Sequence, residues 1–332
     1  MGTLAVCARC GVILCLALLA RPERVLAGMV TLTFDDGLAS VARNALPILT
    51  KYGLPAVAGV IVSKMESDDP DYMRPRDLAR LARAGWEIAS HSLSHRRCQD
   101  LPGGIGREAV KNARPDPRRP GVYDAVYEYP VLAGFSCDGK PLRRLAARPG
   151  KALPPGTYYY DDETRNLFAR PFAAASTPPQ FRAVSYEREL RDSRDRFAAH
   201  GLRVTSFVAP FNAWDRFARD LCAKYYAQAV SGGDGPNIRR DADRYWLKRY
   251  NILESSSLEE IERIVRTEAV EKDGWVIFCL HGVGEGPGWE SIAPEKLDAL
   301  ARSLKGSGAD VVTLDAGARR FFGQTPVSDR TG

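Results

Sequence analysis

The chain holds only four histidines, and two of them stand four residues apart in His91-Ser92-Leu93-Ser94-His95. In a helix or a tight turn that spacing brings both imidazoles to one side, where their ring nitrogens can reach a single ion. Far upstream, Asp35-Asp36-Gly37 sets two carboxylates side by side. Adjacent carboxylates point in different directions, so one can ligate a metal while the other takes a proton from water. Gly37 permits the sharp turn that lets both face one cavity. Two imidazoles and one carboxylate suit zinc or a similar divalent ion, with positions left for water and substrate. Each motif also has a plain structural reading: a pair of surface histidines in one case, a solvated turn in the other. The apolar strand ahead of Asp35 disfavours the turn, because a buried strand seldom ends in two carboxylates without a counter-charge.

These residues must be brought together by elements that the hydrophobic pattern outlines. From Met29 onward, short apolar runs alternate with segments of helical period, as in a parallel sheet or barrel with helices outside. Strands are predicted at 29–34, 55–62, 86–90, 203–208, 227–231, within 245–253, at 274–280 and at 309–314. Helices are predicted at 39–52, closed by Gly53, and at 74–85, 186–200, 213–226 and 293–305. A further helix starts at Ser257 with Glu260 as its capping-box partner. Seven or eight such units imply an α/β fold, a distorted (β/α)7-8 barrel built from residues 28–98 and 184–323. Asp35 and Asp36 then follow the first strand, His91 the third, Pro210-Phe211 the fourth, and His281 closes 274–280. All fall at C-terminal strand ends, the face on which barrels carry active sites.

Residues 99–183 interrupt the alternation. They are rich in Pro, Gly, Arg and Tyr and have no helical period until their end. Pro154-Pro155-Gly156, the run TYYY at 157–160, a polar turn and then LFA predict a β-hairpin, and 122–135 predicts one or two more strands. A segment this long inside a compact domain reads as a β-rich insertion at the barrel face, with residues 324–332 as a tail. Alternate tyrosines of 158–160 must face opposite sides of their strand, one side toward sugar rings and the other covering the barrel.

Composition narrows the class. With 332 residues, 45% hydrophobic and 27% charged, the chain is a soluble globular protein and not a disordered one. The net charge of +6 falls to +4 without residues 1–27 and is spread along the chain, so nucleic acid is not an expected partner. Residues 10–20 form an apolar run of eleven, short for a membrane span and suited to the core of a signal peptide cut before Gly28. This predicts a secreted or periplasmic protein with no stable transmembrane anchor; a start at Met29 would instead make it cytoplasmic. Cys98, Cys137, Cys222 and Cys279, which follow the leader, have spacings that match no zinc pattern, and Cys279 reads as a small buried hydrophobe. His200 reads as a helix-end residue and Trp275 as core, while Trp214 and Trp289 could wall a sugar subsite.

Thr33-Phe34-Asp35-Asp36-Gly37, His91-Ser92-Leu93-Ser94-His95, Ala209-Pro210-Phe211 and Leu280-His281-Gly282, in this order and at strand ends, resemble the polysaccharide deacetylases (NodB-homology domain, carbohydrate esterase family 4). The resemblance spans about 29–98 and 184–323. It implies a NodB-type barrel in which Asp36, His91 and His95 hold one divalent ion, Zn2+ first, with Co2+, Ni2+ or Mn2+ as alternatives. It implies that Asp35 is the general base, that His281 is the general acid, and that the Phe211 main-chain N–H holds an oxyanion. Leu280 would line the pocket for the acyl methyl group. The chain also departs from the pattern. Where members carry an Arg two residues before the motif Pro, this chain has Val208, and Arg249 on the next strand is the candidate replacement. Members also carry an Asp near an aromatic residue that orients the acid histidine; Asp241, Asp243 and Trp246 are near in sequence, but no spacing singles one out.

The implied activity is metal-dependent removal of acetyl groups from an N-acetylated amino-sugar polysaccharide or glycoconjugate. One alternative is a cyclic amide or imide hydrolase of the same superfamily, which a start at Met29 would favour. Another is a carbohydrate-binding protein on a catalytically weakened barrel, suggested by Val208 and opposed by the joint retention of Asp35, Asp36, His91, His95 and His281.

Overall fold

The computed structural model describes residues 28–97, 107–110, 112–127, 132–148, 150, 152–161, 164–214, 216–286 and 288–323. The expected signal peptide and its cut, Cys98 and the tail at 324–332 lie outside the described residues. Eight parallel strands form one curled sheet: β1 (Met29–Phe34), β2 (Val57–Val60), β3 (Glu87–Ser90), β4 (Ser206–Val208), β5 (Gln228–Val230), β6 (Tyr250–Asn251), β7 (Trp275–Leu280) and β8 (Asp310–Val311). Their order is β5-β4-β3-β2-β1-β7-β6, with β8 sharing one edge of β1. Met29 and Val30 pair with β8, whereas Thr33 and Phe34 pair with β2. The outer strands β5 and β6 share no ladder. Closure comes from the stretch just ahead of β6, where Leu247 bridges Val230 through its N–H to Ala229 and its carbonyl to Ser231, at 3.0 and 3.1 Å. The expected strand within 245–253 is thus an irregular seam that touches β5 at one end and β7 at the other.

β1 and β7 run side by side in register, Met29 opposite Trp275 through Phe34 opposite Leu280, and all twelve residues are buried. Strands buried on both faces are what wholly apolar runs favour. The period of two then sorts their side chains. Met29, Trp275 and Ile277 fill the barrel interior with Val57, Ala89, Val208, Val230 and Leu247. Leu32, Phe34, Phe278 and Leu280 face outward into the core beneath the helices.

The predicted helix at 39–52 is present, with a π-helical turn at Val41–Ala45 leading into α1 (Leu46–Tyr52). Gly53 ends it at φ 66°, donating to the Leu49 and Thr50 carbonyls. α2 (Pro75–Arg83), α3 (Glu187–Ala199), α4 (Arg216–Cys222), α5 (Leu258–Ile264) and α6 (Pro294–Gly306) follow the predicted order. The Ser257 hydroxyl accepts from the Glu260 N–H at 3.1 Å, the cap that the sequence signals. One expectation fails at the end of the chain. The strand predicted to reach 314 stops at Val311, and Thr313, accepting from the Ala316 N–H, caps a helix not predicted, α7 (Leu314–Phe322). Leu314, Ala318 and Phe321 pack against Trp275 and close the barrel floor. Gly317 makes the close approach possible, since a Cβ there would lie 2.5 Å from the Trp275 ring.

The insertion forms two sheets, a wholly antiparallel one of four strands and one of five that is antiparallel except where Arg143–Arg144 runs parallel to Thr157–Tyr160. The expected hairpin pairs Thr157–Tyr160 with Asn166–Arg170. Tyr158 and Tyr160 are buried with Phe135, Leu167 and Phe181 in a cluster of the insertion's own, which corrects the expectation that one tyrosine face covers the barrel. Its last strand, Phe181–Ser185, leads directly into α3. Among the described residues no helix is long and apolar enough to cross a membrane.

Candidate active site

The site occupies the C-terminal end of the barrel. The Asp35 N–H donates to the Leu280 carbonyl at 2.8 Å, prolonging the β1–β7 ladder by one residue. Asp36 and Gly37 then take left-handed conformations, φ 71° and 74°. Asp tolerates that region better than most residues, and Gly pays no steric penalty there. After β3 the chain makes a tight turn rather than a helix, with Ser92 and His95 at φ 68° and 58°. Ser92 accepts from the His95 N–H at 2.9 Å, and Glu189 of α3 accepts from both the N–H and the hydroxyl of Ser94 at 2.9 and 2.7 Å.

This scaffold brings Asp36, His91 and His95 together. Asp36 Oδ1 lies 3.5 Å from His91 Nε2 and 3.4 Å from His95 Nε2. His91 Nδ1 stands 2.8 Å from the Val208 carbonyl, which can only accept, so that nitrogen carries a proton and Nε2 is the ring atom turned to Asp36. Asp36 Oδ1 is buried without a hydrogen-bond partner. A carboxylate oxygen and two imidazole nitrogens that converge in this way form a donor set that fits a borderline divalent ion such as zinc.

Asp35, 1% exposed, keeps Oδ2 3.8 Å from His91 Nε2 and meets Arg249 from the seam. The guanidinium donates to both carboxylate oxygens, at 3.0 and 2.8 Å, while its Nε–H donates to Asn212 Oδ1 at 2.8 Å. Arg249 is itself 3% exposed, so the pair is a buried two-point contact. Val208, where the family pattern has its Arg, is buried in the barrel interior.

His281 and Cys279 complete the polar group. An oxygen of Asp35, the Cys279 sulfur and a His281 nitrogen lie within 4.8 Å of one another, and Cys279 Sγ is 3.7 Å from Asp35 Oδ2. The cavity over these residues measures about 470 Å³ and is lined by both aspartates, the three histidines, Arg249 and Cys279, with Phe211 and Trp289 at its rim. Phe211 and Trp289 are 55% and 54% exposed. The Phe211 ring stands 4.4 Å from that of His95, and Trp289 lies edge-on to His281 at 5.0 Å.

Four expectations require correction. Leu280 does not line the cavity: in β7 it has the parity of Phe278 and points to the helix-side core, whereas Cys279 points inward. Cys279 is therefore more than a small core hydrophobe. Asp243 accepts from Arg219 at 2.6 Å, Asp241 pairs with Arg240, and neither they nor Trp246 reaches the cavity. Trp289 is the residue against His281, on a loop that sequence patterning does not resolve. Trp214 is core, donating from Nε1 to the Tyr245 carbonyl.

Electrostatics follow from this geometry. Burial alone would raise the Asp35 carboxyl, but the Arg249 guanidinium, with the His91 and His281 rings, overrides it and holds the group well below the usual carboxylate range. Burial likewise opposes the charge on Asp36, and contact with His91 prevails and lowers it. Burial, then the neighbouring His91 ring, push His95 down to about 4, so it is neutral and able to ligate at neutral pH. The Asp35 and Asp36 carboxylates raise His91 against the effect of burial. His281 is lowered, with burial outweighing the attraction of the two aspartates.

Residues 23–114 match the family model of polysaccharide deacetylases. The resemblance carried by the motifs is thus borne out by an independent comparison over the segment that holds Asp35, Asp36, His91 and His95. No curated protein matches the chain significantly. Among solved structures, the Xyl-CE4 domain of a multidomain xylanase from the hindgut metagenome of Trinervitermes trinervoides is 16% identical, covering 90% of this chain and 93% of its own, with a TM-score of 0.47. A family 4 carbohydrate esterase from Streptomyces lividans, in complex with acetate, is 15% identical over 86% of this chain and 91% of its own, with a TM-score of 0.45. A family 4 acetyl xylan esterase from Clostridium thermocellum, in complex with a cobalt ion, is 16% identical over 88% and 91%, with a TM-score of 0.44.

Proposed function

We propose that this chain is a metal-dependent hydrolase that removes acetyl groups from an N-acetylated amino-sugar polysaccharide or glycoconjugate. The observation that carries the reading is the convergence of Asp36, His91 and His95 on one point beside a separate carboxylate, Asp35, that is locked to Arg249. Asp36, His91 and His95 would hold one divalent ion, Zn2+ before Co2+, Ni2+ or Mn2+, and when bound it supplies Lewis acidity at the mouth of the cavity. Asp35, kept ionised by Arg249, accepts a proton from the attacking water. His281, whose ring nitrogen lies within 4.8 Å of an Asp35 oxygen, would deliver a proton to the departing amine, and the Phe211 main-chain N–H is the candidate oxyanion donor. Cys279, at the base, closes the acyl end, while the exposed rings of Phe211 and Trp289 offer stacking faces for sugars. The apolar run at 10–20 supports export to the periplasm or exterior.

The test is acetate release from N-acetyl-chito-oligosaccharides by the zinc-loaded full chain, alongside a cyclic amide and a His95→Ala variant. Acetate should appear, stop on chelation and be absent from the variant, which loses one of three protein ligands. Opening of the cyclic amide without acetate release from any N-acetylated glycan would overturn the reading in favour of the related hydrolases.

A further inference from the structure

A second cavity of about 450 Å³ opens beside the first, and the two share Asp36, His95, Arg97 and Phe211. Three cations line it: Lys64, Arg96 and Arg97. Asp36 is the sole carboxylate among its described lining residues, and that charge is turned toward two imidazoles. The Arg97 guanidinium lies 4.7 Å over the Phe211 ring, so the aromatic platform between the cavities already carries a positive charge. Arg96 is exposed and forms no ion pair among the described residues. Lys64 Nζ sits 4.5 Å over the Tyr72 ring and 3.6 Å from Asp69, a loose contact. Glu189, near the groove, is buried beneath Ser94 and spends both oxygens on it. The groove is therefore cationic on balance, and any divalent ion beside it would make it more so.

We propose that this groove receives the sugar next to the one being deacylated and selects glycans in which that neighbour carries a negative charge. The inference rests on the deacetylase reading and deepens it. The first cavity faces an uncharged acetamide, which gives no use to a row of cations. An acidic neighbour gives them one, since guanidinium groups match the two-oxygen edge of a carboxylate or a phosphate.

The experiment is calorimetric binding to the zinc-loaded full chain, with acetate release followed in parallel. The probes are neutral N-acetyl-chitohexaose, a hyaluronan hexasaccharide with a carboxylate on alternate sugars, and an oligomer of N-acetylglucosamine 1-phosphate. At least one acidic probe should bind roughly tenfold tighter than the neutral one at low salt. Which of the two does so assigns the anion. The advantage should shrink at about 0.5 M salt, where screening is nearly complete, and collapse in the double variant Lys64→Ser/Arg96→Ser. Equal affinity for all three probes, or an acidic preference that survives in the double variant, would overturn the proposal. A chain that prefers acidic probes yet releases no acetate would defeat the deacetylase reading alone. Acetate release with no charge preference would defeat only this one.

Discussion

Arg249→Met tests whether the charge pair at the seam governs both stability and the state of Asp35. The substitution keeps the length of the side chain and removes its charge, leaving a carboxylate that is 1% exposed without its two-point partner. Breaking a buried pair from one side costs about 3–5 kcal/mol, because the remaining ion is desolvated and uncompensated. At roughly 2.1 cal/mol/K of unfolding entropy per residue, that loss lowers the melting temperature of a fold this long by roughly 5–8 °C. Adding Asp35→Asn removes the orphaned charge and should restore more than half of the loss. The assay is denaturant unfolding of all four members of the cycle at pH 7 with a chelator present, so that ion binding does not contribute. If Arg249→Met costs under about 1 kcal/mol, or Asp35→Asn deepens the loss instead of relieving it, the pair is not the compensating contact that the geometry describes.

His281→Ala should retain stoichiometric zinc, measured by elemental analysis, yet slow amide hydrolysis by about 10²- to 10⁴-fold; an emptied metal site would make His281 a ligand. Glu87, at the floor of the barrel against Ser206 and the Asp315 N–H, offers a pH test remote from the metal. Burial pushes its carboxyl up to about 7 from 4.5, with those two contacts opposing. Between those values the folded protein holds a proton that the unfolded chain has released, so stability should fall as pH rises through that window, by roughly 3 kcal/mol at most. Glu87→Gln should flatten the fall in unfolding midpoint between pH 5 and 8, and parallel curves for the two proteins would refute the assignment.

The parts of the site legible in the sequence are those whose residue type and short-range spacing are unusual. Two of four histidines four residues apart, and paired aspartates after an apolar strand, single themselves out before any geometry is known. Arg249 could be named as a candidate because it lies on a strand-like run beyond Val208, where the family pattern has its Arg, but its partner is 214 positions away and only the sheet order shows the contact. The Leu280 expectation, carried over from the family resemblance, misses by one residue, because alternation along β7 turns Cys279 into the cavity and Leu280 into the core. Asp243 failed because nearness in sequence is not nearness in space; Arg219 of α4 captures it. α7 went unseen because the apolar run at 309–314 reads as strand, and Thr313 is the one cap that marks the change. Trp289 belongs to a loop with no periodic signal, and only the ring distance shows that it faces His281.

The route by which Asp35 obtains its counter-charge bears on how other chains of this kind are sorted. The cation comes from the seam of the barrel, while the customary donor position on β4 holds an aliphatic side chain. Two points on a ring of strands can reach the same interior atom from different sides, so a cation absent at one address can be supplied from another. A census that scores motifs column by column would count this chain as lacking a cation beside Asp35. Counted by the volume around Asp35, nothing is missing. Sequences with a gap at that column are better searched along the 247–251 stretch before they are set aside as inactive.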